Sequence, residues 1–278
     1  MKVLIFGGTG LLGKALVREW RSDSVTALGS RDVDIRDIAQ VQRIVGDAHP
    51  DWIVLAAAYT DVDGCETNRE QAFSVNRDGA VVVARAAKDA GSRLIFLSSD
   101  YVFNGKKTLP YEVDDKRNPQ SVYGRSKAEA EVNLMEVLPG CCIARTSWVF
   151  GVGGRCFPGT ILRLAANRAT IDVVNDQRGC PTYTVDLARA IIQLCHKDAG
   201  GIVHVTNTGE CSWFEFAEAI IREGGLTTEV RPVTTQQMPR PAQRPAYSVL
   251  SATSLHTHGI EMPGWKDALR RYLEEGKS

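Results

Sequence analysis

Lys2-Val3-Leu4-Ile5-Phe6-Gly7-Gly8-Thr9-Gly10-Leu11-Leu12-Gly13 is the stretch that decides the fold of this chain. Val3 to Phe6 is an apolar run of strand formers. Glycines break it, and apolar residues return at helical spacing from Leu11 to Trp20. A strand, a glycine turn and a helix in that order open a dinucleotide-binding βαβ unit. Gly7 lets the chain turn sharply, Gly10 lets the backbone approach a pyrophosphate, and Gly13 lets the helix lie close on the sheet. Leu11 and Leu12 begin the helix, whose free N–H groups and positive dipole end face the phosphates. The spacing is Gly-x-x-Gly-x-x-Gly, and an ordinary strand-to-helix turn is the competing reading.

Strands and helices go on alternating outward from this turn. Ser24 to Leu28 reads as a second strand. It ends in Gly29-Ser30-Arg31, where an NAD-specific unit would place a carboxylate for the ribose 2′-hydroxyl. Ser30 and Arg31 are therefore expected to hold a 2′-phosphate, which favours NADPH with NADH possible. Asp32 to Ile35 suits a short third strand, with Asp34 and Ile35 near the adenine and Asp37 capping a helix to about Ala48. Asp51 to Ala58 is nearly all apolar, as a strand buried on both faces should be. Its small end, Ala56-Ala57-Ala58, leaves room for a ligand across the carboxyl edge of the sheet. One long helix is expected from Arg69 to Ala90, with Asn76 as a cofactor-site residue.

The pattern predicts an α/β fold, a doubly wound parallel sheet of Rossmann type with a smaller C-terminal substrate-binding lobe. The dinucleotide-binding domain is expected over 1–150 with a return segment at about 180–206. The lobe is expected over 151–179 and 207–278.

Composition narrows the function. The 278 residues carry 33 basic and 33 acidic side chains, so no basic field exists for nucleic acid or a membrane surface. No stretch reads as a signal peptide or a bilayer span, and a cytoplasmic protein is expected. The seven cysteines form no Cys-x-x-Cys pair and fit reduced thiols.

Two stretches carry chemistry. Arg93 to Leu97 reads as a strand ending in Ser98-Ser99-Asp100-Tyr101, polar groups at the carboxyl end of a central strand. Tyr123-Gly124-Arg125-Ser126-Lys127 opens a helix and puts a phenol and an ammonium on one face. The ammonium should lower the Tyr123 pKa and fit it for proton transfer near neutral pH. Lys127 could also hold the nicotinamide ribose, and Ser99 could hydrogen-bond a substrate carbonyl. A solvated helix face is the plain alternative.

These residues, with Ala56-Ala57-Ala58-Tyr59-Thr60-Asp61-Val62-Asp63, Arg145-Thr146-Ser147-Trp148-Val149-Phe150-Gly151 and Asp176 to Thr182, carry a resemblance. The chain resembles an extended short-chain dehydrogenase/reductase and, within that group, the dTDP-4-dehydrorhamnose reductase family. The resemblance implies a Ser99, Tyr123 and Lys127 triad reducing the C4 keto group of dTDP-4-dehydro-L-rhamnose. It implies substrate contacts at Val62, Ser99, Asp100, Tyr101 and Trp148. Many members have Thr at the Ser99 position, a hydroxyl of equal use. Some members dimerise through magnesium held partly by a glutamate on the first helix. Ala15 stands there, so no metal is expected, and a monomer or homodimer is. Two alternatives stay open: a reductase of another nucleotide 4-keto sugar, or a non-catalytic NADP-binding regulatory subunit like the methionine adenosyltransferase β subunit.

Overall fold

A computed structural model describes residues 1–276. Its centre is a sheet whose strands lie at β1 (Lys2–Phe6), β2 (Ser24–Leu28), β3 (Trp52–Leu55), β4 (Arg93–Ser99), β5 (Cys142–Thr146) and β6 (Gly201–His204). All pair in parallel, in the order β6-β5-β4-β3-β1-β2. Helices α1 (Leu11–Glu19), α2 (Ile38–Ala48), α3 (Ala80–Asp89), α4 (Val122–Val137) and α5 (Thr184–His196) make the crossovers. Chain order reverses between β1 and β3, so a crevice opens beyond their carboxyl ends.

The two-residue period of the strands divides the core. Val3, Ile5, Trp52, Val54, Ile95 and Leu97 face α1 and α5 and pack on Leu16, Ala188 and Ile191. Leu4, Phe6, Ile53, Leu55, Leu94 and Phe96 face the other side and pack on Val41, Val83 and Leu134. Alternate residues thus enter different cores, and covering both faces is why these strands read as continuous apolar runs. A third core lies in the C-terminal elements. There α6 (Trp213–Glu223) and α7 (Trp265–Glu275) bury Phe216, Ile220, Trp265 and Leu269 with Phe150 and Tyr183.

Two expected elements differ. No strand forms at Asp32–Ile35, because Asp32 turns back on the chain. Its carboxylate accepts from the Gly29 N–H at 2.7 Å, and its own N–H donates to the Gly29 carbonyl at 3.0 Å. The expected helix over Arg69–Ala90 is interrupted by a wider π-helical turn at Ser74–Gly79. Such turns often mark functional sites, and this one carries Asn76.

The start of α6 follows its sequence signal. The Ser212 hydroxyl accepts from the Glu215 N–H at 3.1 Å, and the Glu215 carboxylate accepts from the Ser212 N–H at 2.7 Å. Ser212→Ala should cost about 1–2 kcal/mol. At this chain length each kcal/mol lowers Tm by about 2–4 °C, and a melting curve unchanged within a degree or so would contradict the cap.

Candidate active site

A groove of about 640 Å³ runs along the crevice between the glycine turn and α4. At one end Gly7 has φ +94°, and a Cβ there would come within 2.5 Å of the Ala57 nitrogen. A Cβ on Gly13 would strike the Gly7 carbonyl. At Gly10 the same atom would meet protein only at the Gly7 oxygen, 3.2 Å away. So Gly7 and Gly13 are small for the fold, whereas Gly10 leaves open space. Helix α1 begins at Gly10 with no side-chain cap and no acidic residue in its first turn. Its first N–H groups have no intrahelical acceptor, which suits an anionic ligand.

Gly7, Gly10, Leu11, Leu12, Gly13, Ser30, Asp34, Ile35, Ala56, Ala57, Ala58, Tyr123 and Lys127 all line this groove. Two expected cofactor residues do not. Arg31 sits exposed at the Gly29–Asp32 turn, while Arg36 reaches the groove wall. The Arg36 guanidinium grips the Asp34 carboxylate at 2.9 and 2.6 Å. Asn76 is buried away from the groove. Its amide oxygen accepts from the Tyr59 N–H at 2.8 Å, and its NH₂ donates to the Tyr59 carbonyl at 3.1 Å and to Ser126 Oγ at 3.0 Å. With its polar atoms engaged this way, Asn76 braces the chain after Ala56-Ala57-Ala58.

The far end of the groove carries Leu97, Ser98, Tyr123, Lys127, Thr146 and Val149. Strands β4 and β5 put Ser99 beside Thr146, and the Ser121 cap starts α4 beneath them. The Ser121 hydroxyl accepts from the Gly124 N–H at 3.1 Å. Ser99 lies close enough to the Tyr123 phenol to favour its charged form. Tyr101 packs edge-on against Tyr123 at 5.6 Å. Burial pushes the Tyr123 phenol above its ordinary pKa and outweighs the opposing pull of Ser99. This reverses the expected lowering by Lys127. Desolvation dominates, and the Lys127 ammonium lies instead over the Phe96 ring at 4.2 Å. Burial pulls Lys127 down to about 7, against an upward pull from Glu131.

Unspent polar atoms collect here. Thr146 Oγ1 and Asp100 Oδ2 are buried with no hydrogen-bond partner among the described residues. Such atoms are costly unless something else pairs them. Asp100 Oδ1 accepts from Ser99 Oγ at 2.8 Å, and burial lifts this carboxyl to about 6. The open cradle at Gly10 and the uncapped helix end suit an anionic ligand, and the unpaired Thr146 hydroxyl in the groove wall suits a polar one, as a dinucleotide is.

The expected substrate contacts fall around the triad and outside the groove wall. Tyr101 Oη accepts from Arg244 Nη1 at 2.8 Å, and the Arg244 Nη2 meets Asp63 at 2.9 Å. Val62 opens the short helix Val62–Thr67 next to Asp63. Trp148 has a left-handed backbone, φ +48°, and stacks on Trp213 at 3.5 Å. Its indole edge lies against Gly179, where a Cβ would come within 2.5 Å of Cε2.

Sequence reasoning missed Arg36, Thr146, Arg155 and Arg244 as site residues. The rule that found Ser99, polar groups at the carboxyl end of an apolar strand, applies equally to Thr146. Arg155 follows a glycine-rich loop with no pattern of its own.

The RmlD substrate binding domain family model matches residues 1–278. The spore coat polysaccharide biosynthesis protein SpsK of Bacillus subtilis is 43% identical over all of this chain and 98% of its own. A dTDP-4-dehydrorhamnose reductase from Clostridium acetobutylicum superposes with TM-score 0.97 at 35% identity, covering 100% of both chains. The Bacillus anthracis dTDP-4-dehydrorhamnose reductase, solved in complex with NADP, gives TM-score 0.96 at 38% identity and 99% of both chains. By the match along its whole length, the chain belongs to the RmlD substrate binding domain family.

Proposed function

We propose that this protein reduces the C4 keto group of dTDP-4-dehydro-L-rhamnose to dTDP-L-rhamnose with NADPH. The observation that carries the reading is a groove with a glycine cradle at one end and Tyr123 and Lys127 at the other, with Ser99 at the adjoining end of β4. When bound, the reduced nicotinamide supplies the hydride. Gly10 and the first turn of α1 would hold the pyrophosphate, and Lys127 the ribose next to the nicotinamide. Tyr123 holds its proton at neutral pH, as any phenol does and more firmly for being buried, and would give that proton to the C4 oxygen. Ser99 steadies the same oxygen as charge grows on it. Tyr101 and Trp148 would wall the sugar site, with Arg244 and Asp63 fixing the Tyr101 hydroxyl. Loss of nicotinamide absorbance when the keto sugar is added to protein and NADPH tests this. NADPH bound tightly and never consumed would favour a regulatory role instead.

A second reading concerns the sugar alone. A relative from Streptomyces antibioticus, 37% identical over 97% of this chain and 94% of its own, is named a probable dTDP-4,6-dihydroxy-2-methyloxan-3-one 4-ketoreductase, which supports another dTDP-linked keto sugar as substrate. The same assay with a panel of such sugars decides between them.

The cofactor preference has its own test. Arg36 reaches the groove wall beside Ser30 and Asp34, and Arg31 does not. Arg36→Ala should weaken NADPH by about tenfold, one charge-assisted contact, while NADH changes little. Arg31→Ala should leave both nearly unchanged. Equal losses for the two nucleotides in a fluorescence titration of Arg36→Ala would contradict this assignment.

A further inference from the structure

We propose that Glu131 is a positioning residue of this site. Its buried carboxylate locks the Tyr123–Lys127 helix to the strand end bearing Ser99 and sustains the charge on Lys127. The proposal rests on the reductase reading for its catalytic meaning. The geometry is independent of that reading.

Glu131 lies one helical turn beyond Lys127 and is fully buried. Oε1 accepts from Ser98 Oγ at 2.5 Å and from Arg145 Nε at 2.9 Å. Oε2 accepts from Arg145 Nη2 at 2.7 Å and Arg117 Nε at 2.6 Å. Ser98 immediately precedes Ser99 on β4, and Arg145 immediately precedes Thr146 on β5. One carboxylate therefore ties α4 to both strands, whose ends carry Ser99 and the unpaired Thr146 hydroxyl. Burial pushes the Glu131 carboxyl up, but Arg145, Ser98 and Arg117 outweigh it and hold it below its ordinary range. It is anionic at neutral pH.

The groups facing Lys127 are few. Tyr123 and Glu131 share its helix face. The Phe96 ring lies against it from β4, Ser98 and Thr146 line the same end of the groove, and Arg145 is bound to Glu131. Arg145 in turn contacts Val113 O at 3.1 Å and His204 Nε2 at 3.4 Å. No hydrogen-bond acceptor from the described residues reaches the Lys127 ammonium, which is 2% exposed. A buried cation without partners sheds its proton easily unless a negative charge lies near. Glu131 is the carboxylate that supplies it. Removing that charge while Arg145 remains should deprotonate Lys127. Removing the Arg117 charge should do the reverse.

The test follows the Cε chemical shift of Lys127 against pH in cofactor-free protein carrying carbon-13 lysine, assigned with Lys127→Arg. Glu131→Gln should move the midpoint down by about one pH unit or more, the usual effect of one close charge. Arg117→Gln, at a partly solvated site, should move it up by about half as much. The alkaline limb of the kcat/KM profile should move in the same directions. A role confined to stability would lower Tm and leave both midpoints with the wild type, and that outcome overturns the proposal. Should Glu131→Gln fail to fold, Arg117→Gln decides alone: an upward shift supports the proposal and an unmoved midpoint overturns it. Shifted midpoints in a protein that never consumes NADPH would sink the reductase reading and leave the Glu131–Lys127 coupling standing.

Discussion

Tyr123→Phe should lower kcat by about 10²–10⁴-fold, the range for removing a positioned proton donor. NADPH affinity and the melting curve should stay near those of the wild type. The residue as a whole is half-buried and its ring is held edge-on by Tyr101, so the ring will keep its place without the hydroxyl. The raised pKa sharpens the expectation. A phenol that holds its proton through the neutral range can give it to a developing alkoxide at every working pH. Steady-state rates with saturating keto sugar and NADPH check this, and activity within tenfold of wild type would mean that another group delivers the proton.

Arg145→Ala should be the most destabilising single change in the sheet, by about 3–5 kcal/mol. Its side chain is fully buried and gives two hydrogen bonds to Glu131, at 2.9 and 2.7 Å. It also packs over the Phe103 ring at 5.0 Å. Removal leaves a buried carboxylate with Arg117 and Ser98 as its remaining partners. Against a total stability of about 5–15 kcal/mol the loss is a large fraction. Urea denaturation measures it. Replacing both partners, Glu131→Leu with Arg145→Met, should recover much of the loss, because an apolar pair leaves neither charge stranded. A cost below about 1 kcal/mol for Arg145→Ala would show that the pair contributes little to folding, as solvated pairs do.

The parts of this molecule legible in its sequence are those fixed by local chemistry. The strand, glycine turn and helix at Lys2–Glu19 could be read because turn and helix start need those residues at those places. The Ser212 capping box is equally local. The parts that escaped depend on partners far along the chain. Asp32 to Ile35 has strand composition, but the Asp32 carboxylate binds the Gly29 N–H and makes a turn. That turn sends Arg31 outward and brings Arg36 to the groove, which no property of either arginine announces. Asn76 reads as a cofactor-site residue, whereas its partner in the fold is Tyr59, 17 residues away. The spacing of Tyr123 and Lys127 suggests a lowered Tyr123 pKa, whereas burial in the fold decides its direction. Glu131 looked like any charge on a helix, since Arg117 and Arg145 meet it only after folding.

Running the reaction with NADPH deuterated at the transferring position of its nicotinamide tests the central claim most directly. The product sugar is then examined by proton NMR. Tyr123 and Lys127 at the end of the groove, with Ser99 at the adjoining strand end, predict deuterium at C4 of the sugar and at no other carbon. Product without deuterium at C4, or no product beside tightly held NADPH, would contradict it.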